Sequence, residues 1–222
     1  MFKKPKLVDW DATKRYQDKQ TADEYDKIRF SSLAGQVFND RERRIIRECF
    51  DQLPPETVVL DMPCGTGRLA EPILERGLRV HGADISEQML EVAQGRLSRF
   101  GDKFSTEIID AFAGGNGTPR FEAALCARVL MHFPLEEQIK FLRGVVAHTR
   151  TRVVITHCLD SPYQRFRRWV KRVLKHQVPA RYPITNDEIA QLLRETGLVE
   201  VRRLRMNRFI SEAIYIVAEK SR

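Results

Sequence analysis

Seven strand-like runs alternating with helical patterns predict an α/β fold. It is a mostly parallel sheet with helices on both faces, finished by an antiparallel hairpin at one edge. Three observations carry the prediction. Residues 57–61 are a strand-forming run ending in Asp61, followed by a Pro63-Cys64-Gly65-Thr66-Gly67 turn and an apolar-periodic helix. Strand and helix patterns then alternate to residue 157, with a glycine-rich loop in place of a helix between the third and fourth strands. Two strand-like runs, 198–205 and 211–218, close the chain and are joined by a short loop.

The 222 residues fit one domain with a full core, and an apolar content of 42% is ordinary for a soluble protein. No run of about 18 apolar residues offers a membrane span. The basic N-terminus, Met1 to Lys6, is followed by Asp9 and Asp11 rather than an apolar stretch, so no secretory signal is expected. Cys49, Cys64, Cys126 and Cys158 form no C-x-x-C pair and read as reduced thiols of a cytoplasmic protein, with no zinc motif.

The elements follow in order. Residues 1–20 are polar, with Trp10 and Tyr16 as large anchors. Thr21 with Glu24 fits a capping box, and Ala22, Tyr25, Ile28 and Phe30 give a short amphipathic helix or turn. Asn39 is placed as the cap of a second helix carrying Ile45, Ile46, Cys49, Phe50 and Leu53 on one face, and Pro54-Pro55 ends it. Strands are expected over 57–61, 79–84, 104–109, 121–127 and 152–157, and helices over 67–76, 86–98 and 135–148. Ser86 suits an N-cap. Residues 114–117 form a glycine-rich loop, and Thr185 precedes a helix ending near Gly197.

The turn after the first strand suits a ligand. Its glycines let a ligand approach the backbone, and the free N–H groups of the next helix point the same way. Gly65, Gly67 and Ala70 fit G-x-G-x-x-A, which alone is a weak match to a dinucleotide fingerprint. Asp61 sharpens it. A carboxylate there suits a cationic or hydrogen-bond-donating group and would repel a pyrophosphate. Asp84 ends the second strand, roughly 20 residues on, where a ribose-binding acid is expected. The implied ligand has a ribose and a positive centre but no pyrophosphate, which disfavours a dehydrogenase.

At these residues the chain resembles the class I S-adenosylmethionine-dependent methyltransferases. Residues 61–67 are similar to their first motif, acid-x-Gly-x-Gly-x-Gly, with Pro63 in place of the first glycine. Asp84-Ile85-Ser86 with Met89 is similar to their second-strand motif, Ile109-Asp110-Ala111 to their third-strand acid, and residues 126–133 to their fourth-strand segment. The match covers residues 55–160 and is nearest to the small-molecule, ubiquinone-biosynthesis-like branch.

The resemblance implies a Rossmann-like, seven-stranded sheet and S-adenosylmethionine as cofactor. It implies an arm and lid helices over residues 1–54, a methyltransferase domain over 55–222, and a basic helical insertion at about 161–182. Gly65 and Gly67 would let the backbone pass the methionine portion, Cys64 lies in the same loop, and Asp61 would lie near the amino group. Asp84 would accept from both ribose hydroxyls. Asp110 would accept from the adenine amino group, the Ala111 N–H would donate to the ring, and Ile85, Met89 and Phe112 would sandwich it. Arg128 would contact the cofactor edge or an anionic acceptor, or else lie on the surface. Tyr25, in an Ala-x-x-Tyr-Asp segment, is a candidate lid residue or a helix-packing aromatic.

Methyl transfer needs in-line approach of a nucleophile, and a base only where the acceptor holds its proton tightly. The candidates are His132, beyond strand four, and His157, ending strand five; each could instead be a packed histidine. The Asn/Asp-Pro-Pro-aromatic motif of adenine and glutamine methyltransferases is missing after strand four, where residues 127–130 read Ala-Arg-Val-Leu. The one Pro-Cys pair sits in the glycine turn rather than at a cytosine-C5 nucleophile position.

The net charge of +8 is local. Arg165, Arg167, Arg168, Lys171, Arg172, Lys175 and Arg181 lie between Ser161 and Asn186 without one acid. Tyr163, Phe166, Val170, Val173 and Leu174 recur at helical spacing among them, beside Trp169. This basic helix, 163–177, reads as a lid with a basic outer face, as a surface for anionic lipid at a membrane periphery, or as a grip on a phosphate backbone. The function expected is methyl transfer from S-adenosylmethionine to a small or amphiphilic acceptor. The alternatives are an RNA methyltransferase using the basic helix, and a non-catalytic S-adenosylmethionine-binding protein.

Overall fold

The computed structural model describes residues 32–114, 119–163, 165–166, 169, 182–206 and 211–221. The expectations for Trp10, Tyr16, the Thr21–Glu24 capping box, Tyr25 and most of the basic helix lie outside the described residues, as do residues 115–117 of the glycine loop.

The strands are β1 (Val58–Asp61), β2 (Arg79–Asp84), β3 (Phe104–Ile108), β4 (Phe121–Cys126), β5 (Thr149–Cys158), β6 (Leu198–Arg205) and β7 (Ala213–Lys220). They form one sheet in the order β3-β2-β1-β4-β5-β7-β6. The pairs from β3 to β5 are parallel, and β7 runs antiparallel to both β5 and β6. β7 therefore lies inside the sheet and β6 takes the edge. The described helices are α1 (Leu33–Cys49), α2 (Glu71–Leu74), α3 (Glu87–Leu97), α4 (Leu135–His148) and α5 (Asn186–Glu195).

The central strands are apolar on both faces because both are covered. Leu60, Ala124, Val153 and Ile216 face a core with Leu130, Leu142 of α4 and Leu192 of α5. Val59, Leu125, Val154 and Val217 face another with Ile46 and Phe50, Ile73 of α2 and Leu97 of α3. Local signals set several helix starts. The Met89 N–H donates to the Ser86 Oγ at the start of α3 (3.3 Å). Thr185 and Glu188 form a reciprocal capping box at the start of α5.

Two helix boundaries differ from the sequence expectation. α1 begins two turns before Asn39, capped by Ser32, whose Oγ accepts from the Gly35 N–H (3.1 Å). Leu33 and Val37, in those early turns, are exposed, so no apolar periodicity announces them. α2 is only Glu71–Leu74, and Gly67, where the helix is expected to start, takes a φ of 71°, outside the helical range. α1 is tied to α2 by ion pairs of Arg43 with Glu71 and Glu75, and of Arg47 with Glu75.

The strand order reverses at β1, which has β2 on one side and β4 on the other. Such a switch point leaves a crevice beyond the carboxyl ends of the strands.

Candidate functional site

A cavity of about 350 Å³ occupies that crevice. The loop after β1 forms its floor. Asp61, Cys64 and Gly65 line it, and Gly65 takes a φ of 51° with open space where a Cβ would stand. A side chain there would be strained and would fill the approach to the backbone. Gly67 does not line the cavity. A Cβ on it would lie 2.8 Å from Cδ1 of Leu97, so this glycine serves the packing of the loop against α3.

Asp61 is 1% exposed, and neither carboxylate oxygen has a hydrogen-bond partner among the described residues. Burial, and then the nearby Asp84, push its carboxyl well above the usual carboxylate range, while Arg68 pulls it back. An unpaired buried carboxylate costs several kcal/mol in general, so the atom is built for a partner. A ligand cation or donor entering the cavity fits it.

Asp84 ends β2 with its carboxylate aimed by two backbone donors. The Gly65 N–H donates to Oδ2 (3.0 Å) and the Ser86 N–H to Oδ1 (3.1 Å). Burial raises its pKa and these donors oppose that rise. Held between the two loops, it presents its remaining acceptor capacity to the cavity it lines. Asp110 lines the third side. Its Oδ1 accepts from the Phe112 N–H (2.8 Å) and starts the short turn Ala111–Ala113. Ile85, Met89, Ala111 and Phe112 complete an apolar slot between the second and third acids. Phe112 stands edge-on to Phe133 and Phe141, each 5.3 Å away.

Arg128 lines the fourth side, after β4, with a left-handed φ of 62°. Its N–H donates to the Thr156 Oγ1 (2.8 Å), and its guanidinium lies on the buried Glu42 of α1 (2.8 and 3.0 Å). It is therefore no loose surface residue.

The structure separates the two histidines. His132 lines the cavity. His157 lies outside its lining and is 1% exposed. Its Nδ1 accepts from the Cys158 N–H (2.9 Å), which leaves Nε2 to donate to the Gln138 Oε1 (3.1 Å). Burial lowers its pKa to about 4. That corrects the expectation of a base at His157: both ring nitrogens are spent on the core.

Three features escaped the sequence reading. Arg68 follows the glycine turn and lines the cavity, and Glu42 anchors it from far along the chain (2.7 Å). Phe133 and Phe141 line the cavity beside Phe112, an i, i+8 pair that periodicity alone assigns to core. Gly144 of α4 belongs to no sequence motif. A Cβ on it would lie 1.9 Å from the Ala111 carbonyl, so only glycine lets α4 press against the turn that carries Ala111 and Phe112.

Residues 59–152 match the family model of a methyltransferase domain. A curated relative, magnesium-protoporphyrin O-methyltransferase of Synechocystis sp., is 28% identical over 107 residues, which cover 46% of this chain and 44% of that protein. The ubiquinone biosynthesis O-methyltransferase of Azoarcus sp. is 36% identical over 80 residues, covering 36% of this chain and 34% of that protein. The chain thus spans less than half the length of these relatives in the matched stretches. The crystal structure of magnesium protoporphyrin IX methyltransferase from Synechocystis with bound SAH shares the fold, with a TM-score of 0.72 at 18% identity over 92% of this chain and 100% of that one. The ordered motifs, the 3-2-1-4-5-7-6 sheet and the matched family model agree, and residues 59–152 form a methyltransferase domain of the class I, S-adenosylmethionine-dependent type.

Proposed function

We propose that the cavity binds S-adenosylmethionine and that the protein transfers its methyl group to a small or amphiphilic acceptor. The observation that carries this reading is the partnerless buried carboxylate of Asp61 in a cavity that also presents Asp84 and Asp110. These three acids suit an ammonium, a pair of ribose hydroxyls and an exocyclic amine, and an apolar slot lies between the last two. Asp61 would hold the amino group and Asp84 the ribose. Asp110 and the Ala111 N–H would take the edge of the adenine, with Ile85, Met89 and Phe112 about its faces. Gly65 and Cys64 would border the methionine portion.

The bound cofactor would supply an electrophilic methyl carbon on a sulfonium. The chain's own part is to orient it, exclude water and, for an acceptor that needs it, remove a proton. We assign that last role to His132, which lines the cavity. Residues 1–54, Tyr25 included, would supply a lid.

The acceptor class rests on the relatives, whose names point to a magnesium porphyrin and to ubiquinone biosynthesis, and on the apolar wall of Val129, Phe133 and Phe141 near His132. The exposed rings of Phe166 and Trp169, stacked 5.9 Å apart in the basic segment, suit contact with an amphiphile.

Calorimetric titration with S-adenosylmethionine and S-adenosylhomocysteine tests the reading. Wild type should bind both, and Asp84→Ala should lose about a hundredfold in affinity, the scale of two charge-assisted hydrogen bonds. A folded wild-type protein that binds neither would overturn the assignment.

A further inference from the structure

Glu42 lies outside every motif, yet it is among the most heavily bonded side chains near the cavity. It is 1% exposed, on the inner face of α1. Its Oε2 accepts from Arg68 Nη2 (2.7 Å) and from Arg128 Nη1 (3.0 Å). Its Oε1 accepts from Arg128 Nη1 (2.8 Å) and from the Tyr215 hydroxyl of β7 (3.1 Å). The neighbouring turn of α1 assists: Asn39 Oδ1 accepts from Arg68 Nη1 (2.8 Å), and the Arg128 guanidinium stands 5.7 Å from the Phe38 ring centre.

Arg68 belongs to the loop after β1 and Arg128 to the loop after β4, the two strands that flank the crevice. Both line the cavity, as does Asp61, whose carboxyl feels Arg68. One carboxylate thus clasps the two rims of the crevice at the end where Asp61 lies. The clasp also holds Arg128 in a left-handed conformation that is strained for a non-glycine residue. Strain of this kind persists where surroundings over-determine it.

We infer that Glu42 is a positioning residue for the charged, amino-acid end of the ligand: through Arg68 and Arg128 it fixes the rims beside Asp61 and makes α1 part of the site. The inference rests on the proposed occupancy of the cavity by S-adenosylmethionine. It predicts that Glu42 matters for the amino-acid end and not for the adenosine end, which lies against Asp84, Asp110 and Phe112.

Two probes separate the ends. S-adenosylhomocysteine carries the amino-acid end, and 5′-methylthioadenosine has the same thioether and nucleoside without it. Both are titrated calorimetrically into wild type and Glu42→Gln. The expected result is at least a tenfold loss of affinity for S-adenosylhomocysteine and less than a twofold change for 5′-methylthioadenosine. Should Glu42→Gln fail to fold, Arg128→Lys keeps the charge and shortens the reach, and should show the same selectivity at about threefold. Equal losses for both probes would make Glu42 merely structural and overturn the inference, as would no loss for either. Wild type that binds neither probe would overturn the cavity reading and this inference together, an outcome distinct from the other two.

Discussion

Glu42 and Asp61 are both 1% exposed carboxylates beside the same cavity, and they are treated in opposite ways. Glu42 takes hydrogen bonds from Arg68, Arg128 and Tyr215. Asp61 takes none from the described residues, and burial shifts it toward the protonated form. The first is satisfied within the fold. The second is not satisfied by the described residues. Equal burial therefore says little about role, and the partner list says much. A buried polar group with its partners in place rigidifies a structure, whereas one without them marks a place left for a ligand.

The comparison is broken most strongly by removing the satisfied acid. Glu42→Leu leaves the Arg68 and Arg128 guanidinium groups facing an apolar side chain. Losing one partner of a buried ion pair costs about 3–5 kcal/mol, and the partial exposure of Arg128 places this case at the lower end. For a domain of this size that corresponds to a fall in Tm of about 6–12 °C. Calorimetric melting at neutral pH reads it. A variant melting with wild type would mean that the clasp adds nothing to stability.

His157 offers a second satisfied group with a pH signature. Its pKa is lowered by burial from 6.5 to about 4, so the folded state refuses a proton that the unfolded chain accepts. Its contribution is therefore complete above pH 6.5 and is lost as the pH falls from 6.5 to 4, a change of about 3 kcal/mol. Denaturant titrations of His157→Gln across this range should show a flatter decline than wild type. Identical slopes would mean that the imidazole is protonated in the fold without penalty.

Legibility in the sequence follows the range of the interaction that decides each feature. The bounds of β2 and α4 are readable because alternation and helical periodicity repeat within them. Asp61, Gly65, Asp84 and Asp110, which all line the cavity, stand out in the sequence because each lies at or just beyond a strand end in a motif of fixed spacing. Glu42 is not, because its partners lie 26, 86 and 173 residues away and no local pattern binds them together. Gly144 is hidden for a similar reason. Inside α4 it reads as a weak helix residue, and only the Ala111 carbonyl pressed against it explains its presence. The two histidines show the limit of placement by strand end. Both are expected at the carboxyl edge, but β5 runs on to Cys158, so His157 lies inside the strand with its ring bonded to Gln138 in the core.

The smallest effect has the opposite sign and sharpens the contrast furthest. Asp61→Asn removes a charge that the free protein holds without a partner. Because the folded pKa of Asp61 is raised, its carboxyl favours the fold when protonated, and that advantage is lost as the pH rises from the usual carboxylate value through the raised one. Wild type and Asp61→Asn should therefore melt together near pH 4 and part as the pH rises. At pH 8 the variant should melt above wild type. Saturating S-adenosylhomocysteine should invert that order, because only wild type carries the carboxylate that the ligand's ammonium would meet. A ligand at a hundred times its Kd adds about 2.7 kcal/mol to whichever protein binds it. A crossing of the two melting temperatures with ligand would identify the cost of Asp61 in the empty protein as the counterpart of its use in the occupied one. If Asp61→Asn binds as tightly as wild type, or melts below it without ligand at pH 8, the unpaired carboxylate is no ligand group and the contrast with Glu42 fails.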